Sequence, residues 1–346
     1  MDIVVTTGSD KAYLQKGPFS LGDEPTDDCF SSRLSMHYLC DAIKESAADV
    51  VLIACTGPDY SVQIWEQRGF QMPIKRLCYQ EHMGEITALA WAPDCSYLAT
   101  TSEDKTLRIW NTHTGETLSI YREQPAIRAL AWSPDSSSLA IGSDTNCVSI
   151  LRIEEQRISA INLGHAAGIY GIDSVSWSPD GARLATVGDD NTIRICDGLT
   201  GATILTYKGH QQDQWILNAA WSPDGEWIAS GADRIHIWSA KTSTCRYIYE
   251  QHDTAQHWVD AIAWSPDGRL IASSSTENVL HIWNALTGAN QCVYQHPYTS
   301  GQLQGLISNA LAWDTTQLYV GKAGQRLAFA SCNRVVSQIE ITAIES

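Results

Sequence analysis

Two short segments come nearest to chemistry that side chains alone could perform. Asp189-Asp190-Asn191 offers the oxygen donors of a hard-cation site, and Gly321-Lys322-Ala323-Gly324 offers the glycines and lysine of a phosphate cradle. No calcium-loop pattern surrounds the first, where Asp and Asn read as turn formers. The second lacks the rest of a phosphate loop, and neither HExxH nor GxSxG occurs in the chain. The ten cysteines (29, 40, 55, 78, 95, 147, 196, 245, 292 and 332) are spread almost evenly, with no CxxC pair and no Cys/His cluster at zinc spacing. They read as reduced thiols of a cytoplasmic protein, mostly small buried hydrophobes. The expectation is a protein with no catalytic residue, no metal and no cofactor.

Charge narrows the partners. With 23 basic against 39 acidic side chains the net charge is -16, which repels phosphate backbones and favours a protein partner with a basic face over nucleic acid. The longest wholly apolar run, Val50 to Cys55, is far short of a spanning helix, and the MDIVV start has no export signal. No membrane is expected.

The elements that would position any site come from a repeat. WAPDC at Trp91 recurs as WSPDS at Trp132 and as WSPDG at Trp177, Trp221 and Trp264, with a worn copy, WDTT, at Trp313; the spacings are 41, 45, 44, 43 and 49. An alternating apolar run follows each copy, then a polar turn, then a second run ending in Ile-Trp or a substitute: LRIW at Trp110, VSIL at Leu151, IRIC at Cys196, IHIW at Trp238, LHIW at Trp283. A disguised first copy starts at Asp41 and runs to VQIW at Trp65, so seven units result. Each reads as four short strands, a to d, with Pro-Asp-Gly supplying the a-to-b turn. Only a weak stretch near Ser35 to Ser46 has a helical period. Such units cannot bury both faces alone; they must stack, and radial closure leaves few open edges.

These residues make the chain resemble the WD40-repeat family of β-propellers over roughly residues 37 to 346. Gly164-His165 and Gly209-His210 stand before strand a, Trp110-Asn111 and Trp283-Asn284 stand where the family has Trp-Asp, and the near-identical WSPDG copies resemble bacterial members most. The resemblance implies an all-β, seven-bladed propeller of four-stranded antiparallel blades, at approximately 37–80, 81–121, 122–164, 165–210, 211–252, 253–297 and 298–346. It also implies a hydrogen-bonded His, Ser/Thr, Asp and Trp set with a structural role. The second unit matches with His82, Thr100, Asp104 and Trp110; the fourth has His165, Thr186 and Asp190 but Cys196 for Trp. The fifth has His210, Ser230, Asp233 and Trp238 on a shorter hairpin; the sixth has His252, Ser273 and Trp283 with Glu277 for Asp; the third lacks the set.

The seventh unit is short of a strand d. Ile3 to Thr7 has strand character and belongs to no complete unit, so residues 1–8 are expected to complete the last blade and close the ring. Residues 9–36, with Asp23, Glu24, Asp27 and Asp28, then become a long acidic connection on the rim.

Family members most often hold peptides or protein partners on the rim made by the d-to-a and b-to-c connections. Four residues before each strand-a tryptophan the chain reads Asp41, Thr87, Arg128, Asp173, Leu217, Asp260 and Asn309, a mouth that favours a cation. Trp215 and Trp258 lie six residues before theirs in enlarged connections on adjacent blades, with Tyr170 on the blade before. Either the two indoles and nearby acids anchor a basic or aromatic side chain, or the indoles pack against the neighbouring blade. The remaining eleven tryptophans are scaffold. The functional expectation is a non-enzymatic platform, monomeric by itself within a hetero-complex. The alternatives are a regulatory or inhibitory subunit of a signalling enzyme (kinase, nucleotide triphosphatase or caspase-like protease) and a propeller enzyme with a central metal.

Overall fold

A computed structural model describes residues 19–20, 40–45, 50–56, 59–68, 74–122, 126–145, 147–154, 157–161, 165, 171–211, 215–252, 258–275, 279–295, 307–313, 324–331 and 335–342. Every regular element among them is a β-strand, and none is a helix long and apolar enough to cross a membrane. The strands form seven four-stranded antiparallel sheets. In six of them the chain lays down strands a to d in order. Strand a is Cys40–Glu45, Ile86–Trp91, Ile127–Trp132, Ile172–Trp177, Asn218–Trp221 and Val259–Trp264 in sheets one to six. Cys40–Glu45 pairs along its length with Val50–Thr56, so the weak helical period there yields to strand pairing, where β-branched neighbours complete the ladder.

The last sheet is built differently. Ile307–Trp313, Gly324–Ser331 and Val335–Thr342 supply three strands, and the fourth position is held by Phe19–Ser20, opposite Val336 and Val335. The expected closing strand, Ile3 to Thr7, lies outside the described residues. The a strands lie beside one another in succession, and that of the last sheet lies beside that of the first.

Local sequence explains the repeated turn. In WSPDG at 221–225 the Ser222 hydroxyl donates to Asp224 Oδ1 (2.5 Å) and accepts from the Trp227 amide (2.9 Å), while Asp224 Oδ1 accepts from the Glu226 amide (2.9 Å). The fifth residue takes positive φ in every described copy: Cys95 64°, Ser136 60°, Gly181 70°, Gly225 68° and Gly268 70°. That is why glycine prevails there.

The core lies between sheets. One cluster joins Ala229, Ile235 and Ile237 of sheet five to Val259, Ile262, Ile271 and Trp283 of sheet six. Two glycines of strand b make room for the next sheet: a Cβ on Gly142 would come within 2.8 Å of Ile172, and one on Gly231 within 2.8 Å of Val259 and Ile262. Two aromatic contacts repeat across the seams. The strand-a indoles donate to the carbonyl just before the corresponding tryptophan of the preceding sheet: Trp132 to Ala90 (3.0 Å), Trp177 to Ala131 (3.1 Å), Trp221 to Ser176 (3.1 Å) and Trp264 to Ala220 (3.2 Å). The tyrosine ending a strand d meets the next sheet's strand-c tryptophan, Tyr79 on Trp110 at 4.3 Å, Tyr207 on Trp238 at 4.4 Å and Tyr249 on Trp283 at 4.1 Å between centroids.

Candidate protein-binding rim

Antiparallel order decides which connections share an end. The a-to-b and c-to-d turns leave each sheet at one end, and the b-to-c hairpins and d-to-a connections at the other. The second end is the candidate rim, and the repeated histidine holds it to the sheet.

In sheet two the Trp110 indole donates to Thr100 Oγ1 (2.7 Å), His82 Nε2 lies 2.8 Å from the same oxygen, and His82 Nδ1 lies 2.9 Å from Asp104 Oδ2. Since Thr100 accepts from the indole, its hydroxyl proton points to Nε2 and Nδ1–H donates to the carboxylate. Asp104 also accepts from the Met83 amide (3.0 Å) and from the Thr106 amide and hydroxyl (2.9 and 2.6 Å). Burial works against the Asp104 carboxylate, but these bonds outweigh it and bring its pKa down to about 2. Sheet four repeats the geometry, with His165 at 3.0 Å from Asp190 and 2.9 Å from Thr186. Cys196, buried in place of the indole, has its sulfur 3.8 Å from Thr203 Oγ1.

Sheet five departs from the expected set. His210 Nε2 meets Ser230 Oγ at 2.7 Å and Trp238 donates to that oxygen at 3.1 Å, but His210 Nδ1 is buried without a hydrogen-bond partner. Asp233, on the shorter hairpin, faces Arg234 instead (3.7 Å). In sheet six His252 meets Ser273 at 2.8 Å and Trp283 donates to Ser273 at 3.1 Å; Glu277 lies outside the described residues.

The residues four before the strand-a tryptophans have a backbone signature that sequence reading missed. Thr87, Arg128, Asp173 and Asp260 each sit where the a–b register slips, between Ile86 and Ala88, Ile127 and Ala129, Ile172 and Ser174, and Val259 and Ala261. Each is the extra residue of a β-bulge, a device that re-aims a side chain at the end of a strand. Asp41 pairs in continuous register with Ala54, Leu217 precedes its strand, and Asn309 falls in the slip between Ile307 and Leu311. Arg128 and Asp173 come together from adjacent sheets. Burial pushes the Asp173 carboxyl up to about 6, Asp189 adds to the rise, and Arg128 opposes it.

Trp215 is 55 % exposed and Trp258 45 %, both on d-to-a connections of consecutive sheets, as expected from their spacing. Tyr170 lies outside the described residues. Tyr60 on the b-to-c hairpin of sheet one and Met83 on the next d-to-a connection are also exposed, with Tyr60 at a φ of 62°; no periodicity marked them. Among the residues whose side-chain burial is described, the exposed tyrosines and tryptophans, Tyr60, Trp215 and Trp258, therefore all lie at this one end. Among the same residues no group of three or more His, Cys, Asp or Glu could hold a metal ion.

Repeated four-stranded sheets, joined by indole and tyrosine contacts and pinned by His-Ser/Thr-Trp networks, define a WD-repeat scaffold. The chain belongs to the WD40-repeat family: the family model of the WD domain, G-beta repeat matches residues 73–111, 201–239 and 243–284, and that of the anaphase-promoting complex subunit 4 WD40 domain matches 130–219. The chain is similar to Protein HIR1 of Cryptococcus neoformans (38 % identical over 74 residues, 20 % of this chain and 8 % of that protein). It is also similar to the Transcriptional corepressor LEUNIG_HOMOLOG of Arabidopsis thaliana (25 % over 217 residues, 59 % and 26 %) and to Apoptotic protease-activating factor 1 of Danio rerio (29 % over 96 residues, 27 % and 7 %). The matched part of the chain thus spans no more than about a quarter of any of these relatives.

Proposed function

We propose that the chain closes as a seven-bladed propeller and serves as a non-enzymatic platform in the cytoplasm, monomeric by itself, that binds another protein on the rim of d-to-a and b-to-c connections. Closure is supported by the a strands of the first and last sheets lying side by side, with the N-terminal segment adding a strand to the last blade. The binding reading is carried by the placement of Tyr60, Trp215 and Trp258 at one end of the sheets. Exposed aromatics cost solvation and are typical anchors of protein interfaces. A basic or aromatic element suits this rim, because the net charge is -16 and Asp173 and Asp260 stand at bulges along it.

The test is affinity capture with the full chain, identification of the partner, and rebinding of the purified partner to Trp258→Ala and Asp260→Lys. Both variants lose binding with thermal stability unchanged if the reading holds; retention by both moves the site elsewhere. A second reading, a regulatory part of a signalling enzyme, draws on the likeness to Apoptotic protease-activating factor 1. It requires that the purified partner be an enzyme whose rate changes when the chain is added.

A further inference from the structure

Sheets one, two and four carry the same turn on the b-to-c hairpin. Asp59, Asp104 and Asp190 each accept, through Oδ1, the amide of the residue two further on (Ser61 3.2 Å, Thr106 2.9 Å, Thr192 3.1 Å) and that residue's hydroxyl (2.5, 2.6 and 2.6 Å). The residue between takes left-handed backbone: Tyr60 at 62°, Lys105 at 63° and Asn191 at 54°. Asparagine tolerates that conformation and lysine keeps its charge in water, but Tyr60 places an aromatic ring there, 41 % exposed. Left-handed backbone and a solvated ring are two costs at one residue, and a costly residue held in place by its surroundings points to function.

The neighbouring d-to-a connection is fastened on both sides. Gln80 Nε2 donates to Asp59 Oδ2 (3.1 Å) on the hairpin of sheet one. Toward the hairpin of sheet two, the Met83 amide donates to Asp104 Oδ2 (3.0 Å), Ser102 Oγ to the Gly84 carbonyl (2.8 Å) and the Glu103 amide to the Glu85 carbonyl (2.9 Å). Gly84 lies so close to that hairpin that a Cβ would come within 2.9 Å of the Asp104 amide nitrogen. On this fixed backbone the Met83 side chain stands 87 % exposed. Tyr60 and Met83 are thus held beside one seam by bonds on either side of them, which leaves a partner little to order. The exposed charges around them are mostly acids: Asp59, Glu81 and Glu103 against Lys105, with Glu81 also reached by the buried Arg108. Burial works against the Asp59 carboxylate, but bonds from Ser61 and Gln80 outweigh it and hold its pKa below the usual value.

We propose that Tyr60 and Met83, with Asp59, Glu81 and Glu103 around them, form a docking site for an arginine that lies beside an apolar residue in a partner protein. The inference rests on the reading of this rim as a protein-binding surface, and adds a contact separate from Trp215 and Trp258, which stand on other connections. The chemistry follows from the side chains. A thioether and a phenol ring accept an apolar side chain and the aliphatic stem of arginine. The guanidinium stacks on the ring while its N–H groups reach the carboxylates. An acidic segment is repelled by the same carboxylates and by the net charge of -16.

The test is a random peptide library displayed on phage and selected on the full chain, the enriched peptide then being synthesised and titrated by fluorescence anisotropy. The expected peptide carries arginine next to an apolar residue. It binds Tyr60→Gly and Met83→Ser about tenfold more weakly than the unmodified chain, and Trp258→Ala equally well. Glycine suits the left-handed backbone at 60, so Tyr60→Gly melts at the same temperature or higher, and its lost binding is not lost folding. No enrichment, enriched peptides without arginine, or binding unchanged in either variant overturns the site. Loss in Trp258→Ala alone overturns it and leaves the rim reading standing, whereas retention by all three variants counts against both. If Met83→Ser does not fold, the ε-methyl NMR resonance of Met83 in the unmodified chain decides: a saturable shift on adding the peptide supports the site, and an unmoved resonance overturns it.

Discussion

The indole of Trp264 donates to the backbone carbonyl of Ala220 across the seam between sheets five and six, at 3.2 Å. Three further seams carry the same bond, so the tryptophan of WSPDG is both the end of its own strand and a fastening to the sheet before it. Trp264→Phe keeps most of the ring and loses the donor. The loss of about 1 to 2 kcal/mol expected for a carbonyl left without its partner is read as a lower urea midpoint. An unchanged midpoint shows the bond to contribute nothing.

Thr100 and Thr186 occupy the same place in sheets two and four, with different loads. Thr100 accepts from Trp110 and binds His82, whereas Thr186 binds His165 alone because Cys196 replaces the indole. Replacing each with valine should cost about 2 to 4 kcal/mol at Thr100 and about 1 to 2 kcal/mol at Thr186, measured by denaturant titration. Equal losses contradict the relay through Trp110.

Two glycines separate backbone strain from steric conflict. Gly268 holds a φ of 70°, and an added Cβ would meet nothing closer than Pro223 Cδ at 3.7 Å. Gly268→Ala therefore costs about 1 kcal/mol from the left-handed backbone alone. At Gly231 the Cβ would press on Val259 and Ile262 at 2.8 Å, and overpacking of this kind costs about 1 to 3 kcal/mol. The ranking, Gly231→Ala worse than Gly268→Ala, is the outcome to check by thermal melting.

Asp173 makes stability fall as pH rises. Its carboxyl, pushed up to about 6 from 3.8 by burial, holds its proton more tightly in the folded chain than in the unfolded one. The penalty is absent below about pH 4, grows through pH 6 and is complete above it. Asp173→Asn should raise stability by on the order of 1 kcal/mol at pH 7.5 and leave it unchanged at pH 3.5, as judged from melts at both pH values. A variant equally stable at both contradicts the desolvated carboxylate. If the rim binds a cation through this residue, the stabilised variant binds less well.

Much of the framework was legible because it rests on local spacing. WSPDG needs only residues within one turn: the serine and aspartate make their bonds inside it, and the fifth residue takes positive φ. The His82, Thr100, Asp104 and Trp110 set is reachable because antiparallel pairing sets Leu98 opposite Trp110 and carries the neighbours with it. Arg128 and Asp173 were legible as a pair of rim positions, but their approach was not, since it depends on two adjacent sheets and on a bulge in each.

What the amino-acid order settles by itself is the repeat, its four strands, its turns and the division of the tryptophans into scaffold and two others, all products of period-two alternation and turn chemistry within about 45 residues. The tertiary structure alone decides which carbonyl each strand-a indole reaches and that Trp215 and Trp258 stand out from the surface. Those outcomes depend on how one sheet lies against the next. No residue's own neighbours in the chain encode them, because the contact partners are supplied by a different repeat.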